Sequence, residues 1–185
     1  MSKKKDSQDS IEKESKYIIP FELWDRDTAC ALFEFYLYNM ARKKDSPLSY
    51  NLEEELTDTQ KQELLIHLLK LADSNEENFI CACFLRNKIK DIRNLMLSDE
   101  TLTCDKVKGF LQSETETITF DTLMKRIRNS FAHGRISRSQ DQAFLILEDK
   151  RNQLTGRIIL RNQTLMEWRD AIVSYRRENL EQCPA

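Results

Sequence analysis

One short segment places a permanent cation, an amide and an imidazole within six residues: Arg128-Asn129-Ser130-Phe131-Ala132-His133, followed by Gly134. An arginine stays charged at any relevant pH and presents a planar fork of donors that matches phosphate oxygens. A histidine has an ordinary pKa near neutrality, so its side chain can take or give a proton. The chain has only two histidines among 185 residues. These groups suit cleavage of a phosphodiester without a metal ion.

The spacing of these side chains fits one helix. At about 100° per residue, Asn129 and His133 lie about 40° apart, and Arg128 lies about 140° from His133. Cleavage of RNA through the 2′-hydroxyl needs a base for that hydroxyl and an acid for the leaving 5′-oxygen. One helix supplies one imidazole. We therefore expect two copies of the chain to meet across a two-fold axis and to supply both groups.

The surroundings of the motif are basic, although the whole chain has a net charge of −2. Residues 121–161 contain nine Lys or Arg residues and four acids. A local excess of positive charge is typical of a surface that faces nucleic acid. Solvated polar faces and protection of hairpin edges account for the same charges equally well. The predicted RNA-binding residues are Lys125, Arg126, Arg135 and Arg138.

The elements around the motif place it late in an amphipathic helix. This helix is predicted to run from near Thr119 to a stop at Gly134, with apolar residues at helical spacing: Phe120, Leu123, Met124, Ile127 and Phe131. Two short apolar runs, joined by a polar turn over 149–152, predict a β-hairpin at about 143–160. A capping box at 164–167 predicts a closing helix.

Helical spacing predicts three helices earlier in the chain, over about 21–42, 58–72 and 75–97, the third opened by a capping box at 74–77 with Ser74 as its N-cap. A short helix is expected around 105–111. Residues 1–17 are almost entirely charged or polar and predict a disordered tail. The predicted fold is mainly α: a single helical-bundle domain over 18–182, completed by the C-terminal β-hairpin and the closing helix.

The sequence predicts neither a metal or cofactor site nor a membrane location. The five cysteines have no zinc-binding spacing, so neither a metal site nor a cofactor is predicted. No apolar run approaches the roughly 20 residues that span a bilayer, and the first residues carry lysines rather than an apolar signal. We expect a cytoplasmic protein without a membrane partner. His67, set among leucines, is expected to be a partly buried structural histidine.

The block from Ile127 to Gly134 resembles the R-N-x-x-x-H motif of the HEPN superfamily, which lies late in a core helix of a small helical bundle. Several members of that family also carry a strand pair and a closing helix after the histidine. The resemblance implies a homodimer whose paired motif helices form a metal-independent endoribonuclease. It makes Arg128 and His133 catalytic and gives Asn129 an assisting role. The implied products carry a 2′,3′-cyclic phosphate and a 5′-hydroxyl.

Two functions follow from this resemblance. The first is a HEPN-type endoribonuclease of a toxin or antiviral defence system, with an antitoxin or other regulatory protein as its partner. The second is a non-catalytic HEPN-like module that binds RNA or a protein. The intact set of Arg128, Asn129 and His133 favours the first. In one toxin branch of the family, a tyrosine two residues after the histidine is modified by a partner nucleotidyltransferase. This chain has Arg135 at that position, so inactivation by that modification is not expected.

Overall fold

The computed structural model describes residues 23–40, 55–82, 104–150 and 154–179. Helix α1 spans Arg26–Phe33 and continues as a π-helical segment, Glu34–Asn39. Helix α2 spans Asp58–Leu71, and a 3-10 turn, Glu76–Asn78, leads into strand β1, Phe79–Ala82.

The second half of the chain supplies most of the sheet and the two remaining helices of the described part. These elements are strand β2 (Lys108–Gln112), helix α3 (Phe120–Ala132), strand β3 (Ile136–Arg138), strand β4 (Phe144–Lys150), strand β5 (Leu154–Arg161) and helix α4 (Thr164–Asn179). The five strands form one sheet in the order β1-β2-β5-β4-β3. Strand β1 runs parallel to β2, and the other neighbouring strands are antiparallel.

The helices lie on one face of the sheet, which we call the inner face. Helix α3 contacts β4, β2 and β5, and α4 contacts α2 and β5. The inner face contributes alternate apolar side chains to the main core: Leu111, Leu145, Leu147, Ile158 and Leu160. The opposite face, which we call the outer face, carries a separate buried cluster of Phe144, Ile146 and Ile159. This alternation is the period of two that an extended strand imposes.

The predicted mainly α bundle is wrong, because a mixed five-stranded sheet makes this an α/β fold. The predicted helix over 75–97 is replaced by the 3-10 turn and β1, as far as the described residues reach. Phe79 is buried while Ile80 is 44% exposed, which is the alternation of a strand. A short apolar run has no period that separates strand from helix, so tertiary pairing decided its conformation.

The capping box predicted at 74–77 is not formed. The Ser74 hydroxyl donates a hydrogen bond to the Val107 carbonyl at 3.3 Å and does not cap a helix. The short helix expected around 105–111 is instead β2, which lies between β1 and β5. Pairing on both sides satisfies the backbone groups of β2, which a sequence pattern cannot anticipate.

The elements nearest the motif are confirmed. The Thr119 hydroxyl caps α3 by accepting from the Thr122 amide at 3.1 Å, and the whole predicted apolar stripe is buried. The predicted hairpin over 143–160 is present as β4 and β5, and α4 begins at Thr164. Of the predicted first helix, the described residues contain α1 and its π-helical continuation, and Asp25 is the N-cap of α1; the start predicted near residue 21 lies outside the described residues. Hydrogen bonds from Thr28 hold the pKa of Asp25 below its ordinary value.

Two predicted features lie outside the described residues. One is the charged tail over 1–17. The other is the exact extent of the domain predicted over 18–182, because neither of its ends is described. The second predicted helix is confirmed as α2, and its capping box joins Thr57 and Gln60.

Aromatic packing ties the motif to the first and last helices. The Phe131 ring stacks against Tyr36 with centroids 5.2 Å apart, and meets the edge of Phe33 at 5.1 Å. The Tyr36 hydroxyl in turn donates to the Leu165 carbonyl at 2.9 Å. The Trp168 indole similarly donates to the Leu68 carbonyl at 2.7 Å. Phe131 stands two residues before His133. Its packing against Tyr36 and Phe33 therefore holds the end of α3 in place.

Gly109 provides a test of the β1–β2 pairing. A Cβ at this position would lie 2.4 Å from Cδ1 of Phe79, whose side chain is buried. We expect Gly109→Ala to lower the free energy of unfolding by about 1–3 kcal/mol, measured by urea denaturation, because the ring has no room to move. The same substitution in a Phe79→Leu background should cost less. An equal cost in both backgrounds would show that the two residues do not pack as described.

Candidate functional site

A buried carboxylate on the inner face anchors α3 to the sheet. Asp149 lies on β4 with its side chain 2% exposed. Its Oδ2 accepts from Nη1 of Arg126 at 2.6 Å and from Nδ2 of Asn129 at 3.0 Å. Arg126 also donates to the Gln112 carbonyl on β2. The helix is therefore tied to two strands through one guanidinium and one carboxylate.

The course of the Arg126 side chain explains a glycine on β5. Its methylene groups pass over Gly156, where a Cβ would lie 3.2 Å from Cδ of Arg126. The missing side chain leaves a channel through which the guanidinium reaches Asp149. A buried carboxylate is costly to remove from water unless it is paired and hydrogen-bonded, and both conditions are met here.

The end of α3 is closed by a hydrogen-bonded turn. Gly134 has a φ of +60°, its amide donates to the Phe131 carbonyl at 3.1 Å, and the Arg135 amide donates to the Ser130 carbonyl at 2.9 Å. This pair of bonds is the Schellman arrangement, which satisfies carbonyls left over at a helix end. The Arg135 carbonyl then accepts from the Glu148 amide at 3.0 Å. The backbone on both sides of His133 is thus fixed.

The two side chains predicted to do the chemistry are left without partners. The His133 side chain is exposed, and Arg128 is partly exposed. Among the described residues, neither side chain makes a hydrogen bond or an ion pair. Asn129 differs, because Asp149 holds its amide nitrogen. The structure therefore brings the three predicted catalytic residues onto the last turns of one helix, with one of them fixed and two available.

The four predicted RNA-binding residues do not form one free patch. Lys125 is exposed on α3, whereas Arg126 is 12% exposed and paired with Asp149. Arg138 donates to the Leu23 carbonyl, which ties β3 to the start of α1. Arg135 is half-buried, and its Nη1 is buried without a partner. The local positive charge is therefore partly used to hold elements together.

Two further cations of the basic segment are paired with acids. Arg157 on β5 binds Glu148 on β4 through Nε at 2.9 Å, with the two side chains 4% and 6% exposed. Arg161 pairs with Asp73 at 2.7 Å. The Glu148–Arg157 pair lies on the outer face, opposite Asp149. These pairs leave Lys125 and Arg128 as the cations of α3 that no described acid neutralises.

Sequence reasoning missed Asp149. The sequence predicts that the polar run over 149–152 is the hairpin turn, yet Asp149 belongs to β4 and is buried. One signal was present: a pair of acids directly follows an apolar strand, where alternation places one acid on each face. The prediction for His67 is also wrong, since its side chain is exposed on α2.

Among the described residues, no group of three or more His, Cys, Asp or Glu side chains is arranged to hold a metal ion. No helix in the described ranges is long and apolar enough to cross a bilayer.

Burial raises the pKa of the half-buried Cys81 thiol to about 11, which keeps it protonated at neutral pH.

Comparison with protein-family models, with curated proteins and with solved structures found no match to this chain. The likeness to HEPN proteins therefore rests on the motif block and on the hairpin and helix that follow it. The α/β fold of the described residues differs from the helical bundle that the likeness implied.

The anchoring role of Arg126 can be measured. Arg126→Met keeps the aliphatic stem over Gly156 but leaves the buried Asp149 charge without its cation. We expect the free energy of unfolding to fall by about 3 kcal/mol in urea denaturation. The matched control is Lys125→Met, one residue earlier and exposed, which should change it by no more than about 0.5 kcal/mol. Equal effects of the two substitutions would contradict the anchor.

Proposed function

We propose that this chain is an endoribonuclease whose active site combines Arg128 and His133 from two copies. One observation carries the proposal: Asp149 and the closed turn at Gly134 fix the end of α3, while Arg128 and His133 have no partner among the described residues. Catalysis by positioning needs reactive side chains that are free and a backbone that does not move.

The reaction uses the two imidazoles in complementary states. His133 of one copy takes the proton from the ribose 2′-hydroxyl as the 2′-oxygen attacks phosphorus. The bond from phosphorus to the 5′-oxygen breaks, and the protonated His133 of the second copy gives its proton to that leaving oxygen. The products are a 2′,3′-cyclic phosphate and a 5′-hydroxyl. Arg128 from each copy binds the non-bridging oxygens and stabilises their negative charge in the transition state.

The exposed side of α3 suits the approach of a second helix. Ala132 is exposed beside His133, and its small side chain allows close contact between two copies. Lys125 and Arg128 of both copies would then surround one cavity with positive charge. Repulsion between these cations is relieved when an RNA phosphate enters, which favours binding of a polyanion.

The proposal places the activity in the cytoplasm, as an effector of toxin or antiviral type. Free cleavage of cellular RNA would harm the cell that makes it, so an antitoxin or another regulatory protein would hold it inactive. The exposed end of α3 is the surface that such a partner would cover, because both Arg128 and His133 lie there.

One observation favours the second function, a module that binds RNA or a protein. No described carboxylate or other side chain contacts the His133 imidazole to set its tautomer. A module that binds RNA or a protein without cleaving RNA has no need of such a contact. The two functions are separated by the fate of the RNA, since the second leaves it intact.

His133→Ala should abolish cleavage, because the reaction loses both its base and its acid. We expect a loss of at least about 100-fold in the rate of cleavage of a labelled RNA. The assay contains EDTA, because the imidazoles supply both proton transfers. His67→Ala is the matched control, being the other exposed histidine, and should cleave as the wild type does. Cleavage by His133→Ala at the wild-type rate would refute the proposal.

A site built from two copies predicts how the cleavage activity depends on the fraction of wild-type chains in a mixture. Wild type and His133→Ala are mixed at equal concentrations, unfolded and refolded together so that subunits redistribute. If two imidazoles are required, about a quarter of the dimers are active, and activity falls with the square of the wild-type fraction. Activity that falls in direct proportion to that fraction would show that one copy suffices. RNA ends are mapped in the same samples to identify the 2′,3′-cyclic phosphate.

A further inference from the structure

We propose that Asp149 is a positioning residue that acts on His133 through the side chain of Asn129. Asp149 holds the Asn129 amide nitrogen, which leaves the amide oxygen directed outward, where the exposed imidazole one turn later can turn to donate its Nδ1–H to it. The inference rests on the proposed function for its kinetic consequence. Its structural part, the orientation of the imidazole, is independent of any activity.

The first step is the orientation of the amide. An ionised carboxylate only accepts hydrogen bonds, so the group of Asn129 that faces Asp149 must be the NH2 group. The two are 3.0 Å apart. The same carboxylate is paired with Arg126, and its side chain is 2% exposed. The usual ambiguity between the oxygen and nitrogen of an amide is thereby removed.

The second step is the place of the amide oxygen. Oδ1 of Asn129 makes no hydrogen bond within the described ranges and is not one of the buried unpartnered atoms. Asn129 is partly exposed, so this oxygen reaches the surface of α3. It is an acceptor whose direction is fixed by the hydrogen bond between the amide nitrogen and Asp149.

The third step is the relation to His133. The His133 amide donates to the Asn129 backbone carbonyl at 3.1 Å, so the helix is regular between the two residues. Side chains four residues apart on a regular helix are neighbours, with Cβ atoms about 5–6 Å apart. An imidazole that donates Nδ1–H to Oδ1 keeps its Nε2 unprotonated and directed away from the helix. Nε2 is then the atom that takes the proton of the 2′-hydroxyl.

The arrangement resembles, in its chemistry, other sites where a carboxylate or an amide sets the tautomer of a histidine. At metal sites, losing a group that orients a histidine ligand typically costs about 10–100-fold in metal affinity or activity. The alternative is that Asp149 only stabilises the fold through Arg126. The two roles are separable, because a stabilising role leaves the imidazole tautomer unchanged.

The experiment removes or keeps the acceptor that faces Asn129. In Asp149→Leu no acceptor faces the Asn129 NH2 group, so the amide at 129 can turn either its oxygen or its nitrogen outward. In Asp149→Asn the amide oxygen can take the place of Oδ2, which accepts from both Arg126 and Asn129, so the orientation of the amide at 129 is kept. Nitrogen-15 NMR of the His133 imidazole measures the tautomer populations, and cleavage of a labelled RNA gives kcat and KM.

The matched control is Glu148→Gln, which removes the acid of the other buried ion pair from the adjacent position of β4. We expect Asp149→Leu to shift the tautomer populations of His133 and to lower kcat about tenfold with little change in KM. Asp149→Asn, which loses the same charge but keeps the acceptor, and Glu148→Gln should change neither in the folded protein. An unchanged tautomer in Asp149→Leu, or an equal change in Asp149→Asn or Glu148→Gln, would overturn the inference. If the wild type cleaves no RNA while Asp149→Leu shifts the tautomer, the proposed function is refuted and the positioning role stands.

Discussion

The burial of the Asp149 carboxylate is the constraint on which the rest of the site depends. Because desolvating a carboxylate is costly, its oxygen must receive strong donors, and Arg126 and Asn129 supply them from one side of α3. This sets the rotation of the helix about its own axis. At about 100° per residue, Arg128 lies about 160° from Arg126, so pairing of one arginine turns the other away from the sheet. The buried acid thus selects which arginine is free.

The same constraint explains why the hairpin follows the motif so closely in the chain. Strand β4 places Glu148 and Asp149 on opposite faces, and each finds an arginine, on β5 and on α3 respectively. The Glu148 amide also binds the Arg135 carbonyl just after the helix ends. Helix end, hairpin and sheet are therefore one connected unit. A shift of β4 by one residue would expose one acid to the wrong face and would lose both pairs.

Sequence patterns predicted this unit and α2 well, and they predicted the first two strands wrongly. Helix α3 was predictable because its stripe, its Thr119 cap and its Gly134 stop are all local signals. Strands β1 and β2 were not, because Phe79–Ala82 and Lys108–Gln112 are short and stabilised by pairing with distant segments. Among the site residues, composition could not distinguish Arg126 from Arg128, since the difference arises from a carboxylate 23 residues away from Arg126.

The contrast between a familiar motif and an unexpected fold has a physical basis. The proposed chemistry requires an arginine and a histidine at the end of a rigid helix, and it sets no requirement on how distant parts of the chain are folded. In this protein the rigidity comes from a sheet, through Asp149, and from the aromatic packing of Phe131 against Tyr36. A helical bundle supplies the same rigidity by packing helices alone. The local unit of α3, hairpin and α4 can therefore hold the same side chains in either architecture, and the site is better defined by that unit than by the fold around it.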